Sequence, residues 1–179
     1  MSLRNLFIPD IYMVIFTPFT PFHLGPGIFL GLMFKKRLHI PTFILGNIVL
    51  DLEHIFSFLL FSRYSFHGIM HTFILAFIIG LFLGFFMYFL ENSFHDLYKT
   101  FRLEFDVECS LNCFLYSGIL GTLLHVLFDS PLYDDIQPFY PLTYNPLYHP
   151  ELTYSIYIFC SILFMFGVFY WLILMYRRS

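Results

Sequence analysis

With 59% hydrophobic and only 12% charged residues among 179, the chain has too little polar surface to cover a water-soluble core. Its formal net charge of -3 and pI near 6.2 offer no basic face, which excludes nucleic acid as a main partner. The chain reads as one all-α domain over residues 1–179, an integral membrane helical bundle of about five spans, multi-pass in an inner or plasma membrane.

In chain order, the first element is expected to be short or re-entrant. From Ile11 to Phe34 only His23 can carry charge, but Pro18, Pro21 and Pro26 forbid one straight helix. An extended or re-entrant entry is expected, followed by a helix from about Pro26 to Phe34. Irregular backbone at membrane depth needs cover from protein or a polar cavity, so His23 should face a cavity. A cleavable signal is not expected, because Arg4 is a weak n-region and no small-residue cleavage site follows the apolar run.

Ile40 to Phe61 is long enough to span, yet Asp51, Glu53 and His54 lie at its middle, so it reads as a span lined by a polar pocket. Thr72 to Leu90 and Thr153 to Tyr176 carry no charged residue, and Leu111 to about Ser130 holds only His125 and Asp129 as ionisable groups. Between them, Phe101, Leu103, Phe105 and Val107 alternate with Arg102, Glu104, Asp106 and Glu108, which predicts an extended stretch along the membrane interface. Cys109, Cys113 and Cys160 form no C-x-x-C pair and read as packing thiols.

If the spans alternate, Lys35, Lys36, Arg37, Lys99, Arg102, Arg177 and Arg178 share one side, against Arg63 and Arg4 on the other. Seven against two places the first side in the cytoplasm. The same alternation gathers His23, His67, His71, His125 and Asp129 toward the outer mouth, with Asp51 and Glu53 deeper. An ionisable group in lipid costs several kcal/mol unless it is paired or bound to a metal, so the convergence reads as a metal site.

The spacings suit that chemistry. His67 and His71 are four apart, as are His125 and Asp129, and such pairs share a helix face. On a straight helix Asp51 and His54 lie within about 60° of each other, whereas Glu53 points nearly opposite Asp51. Either the helix is distorted there or Glu53 supports a ligand or moves a proton. The candidate ligands are therefore His23, Asp51, Glu53, His54, His67, His71, His125 and Asp129, with Glu53 also the candidate catalytic residue. A His and carboxylate set without thiolates favours a divalent ion, zinc first, with manganese or iron also fitting. His39, His95 and His149 read as surface residues.

The segments Thr20-Pro-Phe-His23, Gly46-Asn-Ile-Val-Leu-Asp51-Leu-Glu53-His54, His67-Gly-Ile-Met-His71-Thr72 and Gly121-Thr-Leu-Leu-His125-Val-Leu-Phe-Asp129 resemble, in order and spacing, the membrane-bound metal-dependent hydrolases. That family is also described as LexA-binding inner-membrane proteins and is distantly similar to zinc-dependent phospholipase C. The resemblance covers about residues 18 to 146. The family often has Pro-Asp-x-Asp where this chain has Leu50-Asp51-Leu52-Glu53, and His-Arg-Gly-x-x-His-Ser where it has Phe66-His67-Gly68-Ile69-Met70-His71-Thr72. The resemblance implies metal-dependent hydrolysis, with a phosphoester or lipid-linked substrate drawn from the surrounding membrane lipids at its outer side. Two other classes compete: a divalent-metal transporter and a non-enzymatic regulatory membrane protein.

Overall fold

The computed structural model of the chain describes residues 21–53, 68–103 and 109–177. Among these, five α-helices and no strands are found: α1 Leu24–Met33, α2 Ile40–Gly46, α3 Phe73–Thr100, α4 Leu111–Asp129 and α5 Thr153–Tyr176. Short 3-10 turns, Pro21–His23, Ile69–His71 and Pro150–Leu152, lead into α1, α3 and α5, and Val49–Asp51 follows α2. The all-helical expectation holds. Three helical stretches, Phe73–Thr100, Leu111–Asp129 and Pro150–Tyr176, are long and apolar enough to cross a membrane. Most of their surface carries large apolar side chains such as Phe82, Phe86, Met165 and Phe169, as lipid-facing helices require.

The two N-terminal helices are shorter than a span. α1 has ten residues and rises only about 15 Å, half of a hydrocarbon core. It begins at Leu24, two residues before the expected start, because Pro26 falls in its first turn, where a missing N–H costs nothing. The expected span from Ile40 to Phe61 is interrupted within its described part: α2 stops at Gly46. Asn47 ends it by folding its side-chain Nδ2 back onto the Phe43 carbonyl at 2.9 Å, and Ile48 then leaves helical geometry at φ -129. Residues 54–67, which include the rest of that stretch, lie outside the described residues.

α3 runs ten residues past the expected end at Leu90, so the mixed-charge segment around His95 is helix. It closes with Arg102 at a positive φ of 56, Arg102 N–H on the Lys99 carbonyl and Leu103 N–H on that of Tyr98, the paired bonds of a left-handed helix stop. The expected extended stretch after it falls mostly on residues 104–108, outside the described set. Cys109 and Cys113, expected as thiols, are joined by a disulfide, because Cys109 just before α4 lies beside the helix's first turn. Cys160 is a free, buried thiol as expected.

The helices pack in the spatial order α5, α1, α2, α4, α3, with α3 and α4 sharing the most extensive interface. Small residues let their backbones touch. A Cβ on Gly118 would overlap the Gly80 carbonyl oxygen, and one on Gly84 would lie 2.5 Å from the Phe114 oxygen. Thr122 Oγ1 donates across the same interface to the Ala76 carbonyl at 2.7 Å. In lipid such close contact and interhelical hydrogen bonding replace the hydrophobic drive available in water. Every described Lys and Arg lies at one end of the bundle: in the turn after α1, at the ends of α3 and α5.

His39, expected at the surface, is buried at that basic end and caps α2. Its Nδ1 accepts from the Thr42 hydroxyl at 2.7 Å, its ring stacks on Phe114, and its Nε2 lies 3.1 Å from Glu91 Oε2. Burial lowers its pKa to about 3, so the ring stays neutral. His95 and His149 are exposed, as expected, and pair with Glu91 and Glu151.

Gly118→Val should separate α3 from α4 and destabilise the protein by about 1–3 kcal/mol, the usual range for overpacking. Thermal unfolding in detergent reads this out, with Leu120→Val on the exposed face of α4 shifting the midpoint little.

Candidate metal centre

At the end of the bundle opposite the basic residues, three elements deliver four side chains to one point. Asp51 comes from the turn after α2, His71 from the turn before α3, and His125 with Asp129 from the last two turns of α4. Each is at most 3% exposed. One ligand atom from each lies within 4.8 Å of every other, so this buried Asp, His, His and Asp group could bind a metal ion.

The hydrogen bonds at the far edges of the rings fix what points inward. His125 Nδ1 lies 2.8 Å from the Asn47 carbonyl oxygen, which can only accept, so the proton of His125 sits on Nδ1. His71 Nδ1 lies 3.2 Å from Glu53 Oε2, and a carboxylate oxygen likewise calls for N–H there. Both neutral rings then turn a lone pair on Nε2 into the cluster, and the two Nε2 atoms are 3.4 Å apart. The carboxylates add further lone pairs: His125 Nε2 is 3.1 Å from Asp129 Oδ2 and 3.5 Å from Asp51 Oδ1, and His71 Nε2 is 3.9 Å from Asp129 Oδ2.

Lone pairs facing one another in an apolar bundle repel, so a proton or a cation must lie between them. Protonated rings or a cation would meet that need. The spacing favours the cation, since bonds of about 2.0–2.2 Å in a tetrahedron give ligand edges of about 3.3–3.6 Å. Of the edges, 3.4 and 3.5 Å fall in that range, 3.1 and 3.9 Å lie on either side of it, and every remaining pair is within 4.8 Å, so closing on one ion needs a modest inward shift.

His23 and Glu53 stand beside this group. His23 Nε2 donates to Asp129 Oδ1 at 2.8 Å, the oxygen turned away from His71 and His125, and its ring lies 4.1 Å from that of His125. Its buried Nδ1 has no hydrogen-bond partner among the described residues. Glu53 holds His71 from the outside, which resolves its awkward angle relative to Asp51: the chain at Asp51 is a 3-10 turn, and Asp51 faces His125 Nε2 inside the cluster while Glu53 reaches the outer nitrogen of His71. Gly68 makes room for this contact, because a Cβ there would overlap the Glu53 carboxylate. His54 and His67 lie outside the described residues.

Three supporting groups carry no chemical signal in the sequence. The Asn47 carbonyl reaches His125 because α2 and α4 touch at Gly46 and Gly121, where an added Cβ would come within 3.0 Å of the opposing backbone. Thr72 caps α3 with its Oγ1 on Leu75 N–H at 3.2 Å and so anchors His71 at the helix start. Tyr133, in the loop after α4, has its phenol pKa raised by burial and by the negative Asp129, and it therefore keeps its proton beside the carboxylates. The Asn145 amide ties that loop together by donating to the carbonyls of Ser130 and Tyr133, while Phe73 N–H bonds Pro138.

His125→Ala and Asp129→Ala should each lower divalent-metal content, and the double substitution should lose little more than the worse single one, because the two act on one ion. Elemental analysis of purified protein measures this. Independent losses, or unchanged metal in both, would make the pair structural, and the exposed His149→Ala should retain wild-type content.

No protein-family model, curated protein sequence or solved structure matches the chain.

Proposed function

We propose that the chain is a membrane-embedded, divalent-metal-dependent hydrolase acting on a phosphoester or lipid-linked substrate at the outer side of an inner or plasma membrane. The observation that carries this reading is the pair of imidazoles whose Nδ1 atoms are each tied to an acceptor, leaving both Nε2 atoms and two carboxylates facing one point. The ordered resemblance to membrane-bound metal-dependent hydrolases supports the same class. Nitrogen and oxygen donors without a thiolate favour zinc. A bound divalent ion supplies Lewis acidity at a phosphoryl oxygen and acidifies water for attack near neutral pH.

The chain's own residues would divide the work. Asp51, His71, His125 and Asp129 would hold the ion. The Asn47 carbonyl and Glu53 orient the two rings and raise their basicity. His23 fixes Asp129 through its other oxygen. Glu53 would act through His71, as a positioning residue. A hydrolase is favoured over a transporter by the hydroxyls farther along α4: Thr122 donates to the Ala76 carbonyl, and Ser117 donates to the Cys113 carbonyl while accepting from His39 N–H, so neither is left to hand an ion onward.

Asp51→Asn should abolish metal-dependent hydrolysis of a lipid phosphoester and lower metal content together. Glu53→Gln keeps an acceptor for His71 and should retain both, whereas Glu53→Ala should weaken metal affinity by about 10–100-fold. Metal-loaded wild-type protein that hydrolyses no phosphoester in mixed micelles would sink the reading. Lost activity with full metal in Glu53→Gln would instead make Glu53 the proton-transfer group.

The basic end is proposed to be cytoplasmic. On that orientation the Cys109–Cys113 pair meets a reducing compartment, where disulfides rarely persist, so the two indicators of sidedness pull apart. A cysteine placed at position 36 should be labelled from the cytoplasmic side alone. Labelling from outside would reverse the orientation and turn the metal centre inward.

A further inference from the structure

Where α1 meets α5 there is a cavity of about 220 Å³ lined by Phe22, Cys160, Ser161, Phe164 and Met165. The two helices are drawn together at Gly25, where an added Cβ would overlap the Cys160 carbonyl oxygen. The Phe22 ring closes one wall, 4.7 Å from that of Tyr157. The lining is almost wholly apolar. Ser161 turns its hydroxyl back to the Tyr157 carbonyl at 2.8 Å, and the Cys160 thiol is a weak donor that packs as a small hydrophobe. A space of this size would take about seven waters at roughly 30 Å³ each, but waters are held only where two to four polar partners exist. Its mouth opens on the lipid-facing side of α5, where Met165 is 71% exposed.

The inner wall adjoins a residue of the metal centre's surroundings. Phe22 is followed directly by His23, whose Nε2 holds Asp129. We propose that this groove seats an acyl chain of a membrane lipid whose head group is turned toward the metal centre. The head-group half rests on the hydrolase reading, and the acyl-chain half on the groove alone. A chain drawn from the bilayer enters without crossing water, and its seat beside Phe22 sets the linked ester at the level of His23. Chain length and saturation, rather than head group alone, then become determinants of the substrate.

The test uses the full chain in dioleoyl phosphatidylcholine vesicles doped with a phosphatidylglycerol carrying a diazirine on one acyl chain. Photolabelling of Phe164 and Met165 should saturate as the probe fraction rises, while labelling of Phe82 on the exposed face of α3 should rise in proportion to the probe. Ser161→Phe, which fills the groove, should remove the saturable label at least tenfold. Met165→Trp at the exposed rim narrows the mouth without burying new bulk and should reduce it likewise. Metal content should be unchanged in both. Labelling that never saturates, or that survives both substitutions, overturns the assignment and leaves ordinary surrounding lipid. No label at Phe164 overturns it in favour of an occupant from the chain itself, such as residues 1–20. Saturable labelling in a protein that hydrolyses nothing would retain the groove and reject the hydrolase reading; turnover without saturable labelling would do the reverse.

Discussion

Two imidazoles and two carboxylates meet lone pair to lone pair inside an apolar bundle, and that contact is tolerable only with a proton or a cation at its centre. Much of the surrounding architecture serves to aim those atoms and to keep water away. The Nε2 atoms of His71 and His125 stand 3.4 Å apart because their other nitrogens are held by Glu53 and by the Asn47 carbonyl. Those holders are themselves placed by backbone contacts that only glycine permits, at Gly46 against Gly121 and at Gly68 against Glu53. Close helix packing and site geometry are therefore one problem: a methyl group at Gly121 would push α2 away and take the Asn47 carbonyl with it.

The bundle is polarised. All the described basic residues sit at one end and the buried acid and histidine cluster at the other. Between them α4 carries buried Ser117 and Thr122, whose hydroxyls bind neighbouring backbone and so tie helices together rather than form a path. The centre is also covered from beyond the bundle by the loop after α4, through the Asn145 bonds and the link from Phe73 to Pro138. A lipid-borne substrate is consistent with such a lid, since the apolar groove between α1 and α5 reaches the bilayer from the side.

Much of this was legible in the residues. α3, α4 and α5 were readable because their apolar runs are uninterrupted, and His125 with Asp129 because i,i+4 spacing needs only a helix. The end of α2 was not, since hydropathy continues through Val49 and Leu50 while the stop depends on the Asn47 side chain turning back to Phe43. The same break explains why Asp51 and Glu53, opposed on a straight helix, both reach the histidine cluster, Asp51 at His125 and Glu53 at His71. His39 misled because its neighbours Lys36 and Arg37 suggest a surface, yet Phe114 and Glu91, remote in sequence, supply its pocket. The disulfide had no framework spacing to announce it, because a bond from Cys109 to the first turn of α4 depends on how the chain enters the helix.

The central claim is that one divalent ion sits among Asp51, His71, His125 and Asp129. X-ray absorption of the protein loaded with one equivalent of zinc tests it most directly. The account predicts a first shell of nitrogen and oxygen at about 2.0–2.2 Å with the multiple-scattering signature of two imidazoles. Sulfur in the first shell, no imidazole signature, or zinc that washes away to leave a metal-free, folded protein would contradict it.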